Sequence, residues 1–237
     1  MKILVIIPAY NEEENIARVI SQAKKNTPNV IVIDDGSTDN TVKIAGLSGA
    51  KVLSHPFNLG YGSTLLTGYK YAFEKGYDFV IQLDADGQHD PGSIKKLFAP
   101  IENNSADIAI GSRFLEQGGY HPPFLRKIGI SLFSVIVSRI IRQRITDPTS
   151  GFQAINKKVI EFYNSEFFPP DYPDADVLIG LHFAGFRITE VGVKMYPKQG
   201  KKSMHSGVKS IYYLFKMFFS IFLTLIQKNQ MKRGVKL

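Results

Sequence analysis

The sequence predicts a three-layer α/β sandwich around a mostly parallel sheet, and three observations predict it. Short apolar runs at 3–7, 30–33 and 79–83 are rich in Val, Ile and Leu without polar alternation, as strands buried on both faces require. Segments with helical spacing of apolar residues separate these runs, and strand–helix–strand units of this length join by right-handed crossovers. Each run also ends in a polar loop bearing acids, and open parallel sheets bind ligands at the carboxyl ends of their strands.

The elements follow in order. The first strand runs into Pro8, Ala9 and Tyr10. Asn11 is placed to cap a helix whose first turn holds Glu12, Glu13 and Glu14, where the helix dipole favours negative charge. Ile16, Val19, Ile20 and Ala23 carry that helix to about Asn26. The second strand ends in Asp34-Asp35-Gly36-Ser37-Thr38-Asp39, followed by a helix to about Leu47 and a short strand near Val52 and Leu53. Leu65, Leu66, Tyr69, Ala72 and Phe73 mark a helix from Gly60 to Lys75. The strand at 79–83 leads into Asp84-Ala85-Asp86-Gly87-Gln88-His89-Asp90, and Pro91 opens a helix to about Ile101. A further strand covers 107–110.

The second half changes character. Residues 124–141 are apolar over a width unusual for a soluble helix face, and Asp147-Pro148-Thr149-Ser150-Gly151-Phe152 is a turn into another short strand. A helix over 173–184 carries Asp174 and Asp176 near its start, and a strand covers 187–196. After a basic loop at 198–205 comes a strongly apolar helix over about 210–226 whose one interior charge is Lys216. Lys209, Lys216, Ser220 and Gln227 fall along one stripe, so the expected element is an amphipathic membrane-interface helix with its lysines toward headgroups. A spanning or re-entrant helix, or a plain core helix, would use the same residues. The expected organisation is a catalytic domain over 1–205 (halves of about 1–115 and 116–205) and a membrane-associating tail over 206–237.

Charge is uneven along the chain. Of the 29 basic residues ten follow Glu190, where there is no acid, so the rest of the chain holds 19 basic against 21 acidic residues. The whole excess of +8 thus lies in the last fifth. Residues 117–146 form a second acid-free stretch with Arg126, Lys127, Arg139, Arg142 and Arg144. Such asymmetry implies an anionic partner: a membrane surface, phosphates or nucleic acid. The absence of cysteine excludes disulfides and thiolate metal sites and suits the cytoplasm. The first apolar run is too short for a signal peptide and leads straight into Pro8 and an acidic segment.

Asp84 and Asp86, one residue apart at a strand end, cannot both lie unpaired in an apolar core. Oxygen ligands at this spacing suit a hard divalent ion such as Mg²⁺ or Mn²⁺; a solvated turn that starts the helix after Pro91 would use the same residues. Asp34 and Asp35 have a parallel alternative as turn formers with Gly36. His89 reads as a turn residue, and Gly60-Tyr61-Gly62 lacks the spacing and first-strand placement of a dinucleotide fingerprint.

Taken together, Pro8-Ala9-Tyr10-Asn11-Glu12-Glu13, Ile33-Asp34-Asp35-Gly36-Ser37-Thr38-Asp39 and Asp84-Ala85-Asp86 resemble the family-2 inverting glycosyltransferases of GT-A fold. Gly111-Ser112-Arg113-Phe114 and Asp147-Pro148-Thr149-Ser150-Gly151-Phe152 are similar to the dolichol-phosphate mannose synthase branch, and the resemblance covers roughly 2–205. It implies transfer of a sugar from a UDP- or GDP-sugar to a polyprenyl phosphate, assisted by Mg²⁺ or Mn²⁺, at the cytoplasmic face of the cell membrane. Asp84, Asp86 and Gln88 would hold the metal, and Pro8, Tyr10, Glu12, Asp35, Asp84 and Ala85 would line the nucleotide sugar. Arg113, Arg126 and Lys198 would contact phosphates, the acceptor's among them, with Asp86, Arg113 and Asp176 as the catalytic set. Lys198 stands where the family usually has Arg, and Lys201 where Gly is common. So short an apolar appendage leaves room for a small membrane-anchor protein as partner.

Two other readings stay open at this level. A related transferase could glycosylate a hydroxyl of a lipid-linked or surface polysaccharide, with Asp174 or Asp176 as base. A non-catalytic membrane-surface binder could use the basic tail; no nucleic-acid-binding signature is present.

Overall fold

The computed structural model of the 237-residue chain describes residues 1–116, 122, 124–169, 173–197 and 208–234; side chains at 124–126, 208–213 and 233–234 are outside that description. The elements in order are β1 (Ile3–Ala9), α1 (Ile16–Ala23), β2 (Val30–Asp34), α2 (Thr41–Leu47), β3 (Lys51–Ser54), α3 (Tyr61–Glu74) and β4 (Phe79–Gln82). After a single 3-10 turn, Pro91–Ser93, come α4 (Ile94–Glu102), β5 (Ile108–Ser112), α5 (Phe124–Ile141), β6 (Gln153–Asn156), α6 (Lys157–Tyr163), α7 (Ala175–Phe183), β7 (Ile188–Gly192) and α8 (Val208–Gly234).

The seven strands form one sheet in the order β3-β2-β1-β4-β6-β5-β7. All pairings are parallel except those of β6, which runs antiparallel to both β4 and β5. Alternate residues of β1 serve opposite faces: Leu4 and Ile6 join a core with α3 and α5 to α8, while Val5 and Ile7 join one with α1, α2 and α4. That is the expected three-layer sandwich. The antiparallel β6 has a positional consequence. Its pairing of Gln153 with Gln82 puts the loop that leads into β6 at the same sheet edge as the loops that leave β1, β2 and β4.

Some local expectations are corrected. Asn11 does not cap a helix: it sits at φ 53°, its N–H donates to Ser37 Oγ, and its Oδ1 accepts from the Thr38 N–H. The side chain thus ties the first loop to the second, and α1 begins only at Ile16. Pro91 opens the 3-10 turn rather than α4 itself, with Asp90 accepting from the Gly92 N–H. Helix α6 follows β6 without a break, capped by Asn156 Oδ1 on the Val159 N–H.

The expected boundary at 205–206 lies outside the described residues. Beyond it α8 packs on the body of the protein, with Met217, Ile221 and Met231 in the core shared with α7. Phe215, Phe219, Phe222 and Ile226 of α8 are exposed, as are Ile128, Leu132 and Val135 of α5, and Phe133 and Phe218 meet at 5.6 Å between the two helices. Part of the polar stripe turns toward the protein: Lys216 and Ser220, both half-buried, line a cavity of about 350 Å³ with Asp176, Phe162, Phe167 and Phe168, Gln227 borders it while remaining exposed, and the side chain of Lys209 lies outside the described residues. Ser220 there donates to Asp176 of α7. Among the described residues no helix is long and apolar enough to cross a membrane.

Candidate active site

Three loops meet at the strand ends. The register Ala9 with Asp34 places Tyr10 beside Asp35, and the Asp35 N–H donates to the Ala9 carbonyl. Tyr10 is 46% exposed, an aromatic face open at the sheet edge, whereas Pro8 is buried in β1. Glu12 anchors its loop by its N–H to Thr41 Oγ1 at 2.8 Å, and its carboxylate accepts from Asn15 Nδ2. Asp35 is buried and accepts from the N–H groups of Leu59 (2.8 Å) and Gly60 (3.0 Å) and from His55 Nδ1 (2.9 Å). His55 Nε2 in turn lies 2.9 Å from Thr67 Oγ1. Asp35 therefore holds the 55–60 segment against β2.

The acidic loop after β4 is built by its neighbours. The Asp84 N–H donates to His89 Nδ1 at 3.0 Å, which puts the imidazole proton on Nε2, 3.7 Å from Asp84 Oδ2. His89 is buried and stacked on Phe152 at 5.0 Å, so it braces the loop rather than merely turning it. Asp84 Oδ1 accepts from the Tyr61 hydroxyl at 2.9 Å. Ala85 is buried, Gly87 takes φ 73°, and Asp86 Oδ1 accepts from the Gln88 N–H at 3.0 Å. The Gln88 amide nitrogen donates to the Tyr196 carbonyl at 3.4 Å.

Arg113 reaches the same place from β5. Its Nε donates to Asp147 Oδ2 at 2.6 Å, and both side chains are almost wholly buried. The Asp147 and Thr146 N–H groups each donate to Glu190 at 2.7 Å. Burial pushes the Glu190 carboxyl up from its ordinary value, against the pull of those donors. Asp84, Gln88, His89, Arg113, Thr149, Gly151, Met195 and Tyr196 line one small cleft of about 40 Å³.

The structure thus joins Asp84, Gln88 and Arg113 at one cleft; Asp86, two residues on in the same loop, is not among the residues that line it. It does not bring Asp176 there. Asp176 is 3% exposed and accepts from the Ser220 hydroxyl of α8 and the N–H groups of Asp174 and Val177. Burial raises its carboxyl above the ordinary value. Lys198 and the side chain of Arg126 lie outside the described residues. Sequence reasoning missed Tyr61, His89 and Glu190. The signal for Tyr61 was its place just after Gly60 at a helix start, and for His89 its place in the acidic loop itself; Glu190, 43 residues beyond Asp147, gives none.

The donors of the acidic loop are oxygens, which fit a hard divalent ion. Among the described residues no three His, Cys, Asp or Glu side chains converge as a complete metal cluster. One or two carboxylates completed by substrate phosphates is the arrangement Mg²⁺ commonly takes.

A mixed sheet of this order, with an acidic loop at the end of its fourth strand, defines a GT-A nucleotide-sugar fold. Residues 4–163 match the sequence model of Glycosyl transferase family 2, and the chain belongs to that family. A UDP-N-acetylglucosamine–dolichyl-phosphate N-acetylglucosaminyltransferase of Methanococcus voltae is 33% identical over 212 residues, covering 81% of this chain and 84% of the relative. An undecaprenyl-phosphate mannosyltransferase of Micrococcus luteus is 29% identical over 220 residues, covering 88% and 89%. Glucosyl-3-phosphoglycerate synthase of Mycobacterium tuberculosis, solved with Mn²⁺ and UDP-glucose, shares the fold at a TM-score of 0.70 and 22% identity, covering 94% of this chain and 78% of that one.

Proposed function

We propose that this protein transfers a sugar from a nucleoside-diphosphate sugar to a polyprenyl phosphate at the cytoplasmic membrane surface, with inversion at the sugar carbon. The observation that carries the reading is the convergence of the Asp84 carboxylate and the Arg113 guanidinium on one cleft. A diphosphate leaving group with its counter-ion suits the acidic side, and an anionic acceptor suits the basic side. In this reading Asp84 and Asp86, with Gln88 beside them, hold Mg²⁺ or Mn²⁺, which when bound offsets the charge that builds on the departing diphosphate. Tyr10 stacks on the base, and the loops of Glu12 and Asp35 shape its pocket. Arg113, fixed by Asp147, turns its fork of donors to phosphate oxygens. An oxygen of the acceptor phosphate attacks the anomeric carbon as the bond to the nucleoside diphosphate breaks. That oxygen is already anionic at neutral pH, so no residue has to remove a proton.

The M. voltae and M. luteus relatives are both named for polyprenyl-phosphate acceptors and differ in the sugar, which supports the acceptor class more than any one sugar. The exposed apolar residues of α5 and α8 support a membrane-lying face, with the lipid tail beside it. Basic side chains near an anionic leaflet add about 1 kcal/mol each. The burial of Asp176 against Ser220, away from the cleft, speaks against its service as a base for a hydroxyl acceptor.

The test is transfer from a panel of radiolabelled UDP- and GDP-sugars into organic-extractable lipid, with undecaprenyl or dolichyl phosphate, with and without Mn²⁺. Metal-dependent label in a mild-acid-labile lipid is the expected result. Label that stays in the aqueous phase would turn the reading toward a hydroxyl acceptor.

A further inference from the structure

We propose that Tyr61 is a positioning residue for the Asp84 carboxylate, held to that task by a buried hydrogen-bond line through Gln82 and Tyr69 and by the bare Cα of Gly151. The inference rests on the reading of Asp84 as a ligand of the ion and diphosphate.

The direction of the line follows from donor and acceptor chemistry. An ionised carboxylate only accepts, so the 2.9 Å contact between Tyr61 Oη and Asp84 Oδ1 commits the Tyr61 proton to Asp84. The Tyr61 oxygen can then only accept from its other neighbour, and Gln82 Nε2 donates to it at 3.0 Å. With its nitrogen so used, Gln82 presents Oε1 to Tyr69, whose hydroxyl must donate. Every proton in the row therefore points toward Asp84. The supporting members are packed in place: Tyr69 is 1% exposed and its ring packs on Tyr163 at 4.8 Å and on Phe168 at 5.5 Å, while Gln82 is a buried strand residue of β4.

Gly151 closes the arrangement from the opposite side. A Cβ there would stand 2.7 Å from Tyr61 Oη and 3.3 and 3.4 Å from the two Asp84 carboxylate oxygens. Nothing larger than glycine fits without moving the hydroxyl or the carboxylate. On the other side of Asp84, the His89 Nε2–H faces Oδ2 at 3.7 Å. That distance is too long for a hydrogen bond, so the carboxylate is oriented by the Tyr61 phenol at one oxygen while the His89 ring borders the other and holds the loop through the Asp84 N–H, the kind of outer support that fixes a ligand before its ion arrives.

The experiment is calorimetric titration of Mn²⁺ into the full chain with UDP, and in parallel with GDP, alongside a thermal melt. Tyr61→Phe removes one oxygen and keeps the ring. It is expected to weaken Mn²⁺ binding about 10- to 100-fold, the range for loss of such a support, with a melt that stays cooperative though lowered, since the buried Gln82 amide loses its acceptor. Gly151→Ala is expected to weaken binding in the same direction. Gln82→Met, which leaves Tyr61 in place but frees its hydroxyl to turn, decides the matter if Tyr61→Phe proves unstable, and it too should bind Mn²⁺ more weakly. Asp84→Asn separates the two levels. If Asp84→Asn loses Mn²⁺ while Tyr61→Phe and Gln82→Met bind as the parent does, Tyr61 has no positioning role. If Asp84→Asn itself binds as the parent does, the ligand reading falls and this inference with it.

Discussion

Arg113 Nε sits 2.6 Å from Asp147 Oδ2, with the two side chains 5% and 0% exposed, so the cation at the cleft is fixed by a carboxylate that no solvent reaches. Removing one partner of such a pair strands the other as a buried charge. Asp147→Ala should lower the unfolding free energy by about 3–5 kcal/mol, measured by urea denaturation. Arg113→Lys keeps the charge but loses the planar fork, so it should cost more in turnover than in stability.

Asp176 predicts an unusual pH dependence. Burial raises its carboxyl in the folded state, so the stability it contributes is fully present below the ordinary carboxylate range and is lost as pH rises through the raised value. Asp176→Asn is expected to remove that loss. Thermal melts from pH 4 to pH 8 should show the variant gaining on the parent as pH rises, and sugar transfer should persist. A variant that melts like the parent at every pH, or has no turnover, would contradict this.

Asp35 gathers two backbone N–H groups and a histidine, so its first duty is to the 55–60 segment. Asp35→Ala should cost about 1.5–3 kcal/mol, the range for hydrogen bonds to a charged group, and should speed proteolytic cleavage between 55 and 60. Saturating donor should slow that cleavage in the parent, since the same loop borders the proposed nucleotide pocket.

The apolar residues on the outer side of α8 should matter only when lipid is present. Replacing Phe219, Phe222 and Ile226 together by serine is expected to abolish co-flotation with anionic vesicles and leave the circular dichroism spectrum unchanged. Flotation equal to the parent's would remove α8 from the membrane contact.

The strand-end loops were legible because three apolar runs ended in acids, and a buried strand has no other place for them. Asn11 was misread as a cap because Asn serves equally at helix starts and at positive φ, and only the position of Ser37 and Thr38 decides between them. Nothing in sequence shows that Ser220, 44 positions on from Asp176, comes to rest on that carboxylate. Tyr61 was hidden for the same reason. Gly60-Tyr61-Gly62 at a helix start names no partner, and the hydroxyl gains meaning only from Gln82 and Asp84 on other segments.

The antiparallel β6 also governs the order in which the protein can assemble. As the chain leaves the ribosome, β5 emerges before either of its neighbours, since both β6 and β7 are made later. The free side of β4 likewise waits for residue 153 before it finds a partner. During that interval one edge of β4 and both edges of β5 stand open, the condition that invites pairing with other chains. A nascent chain stopped near 115 would hold the β1, β2 and β4 loops yet leave β4 and β5 without the strand that joins them, so the sheet edge that carries the site is completed only once β6 is made.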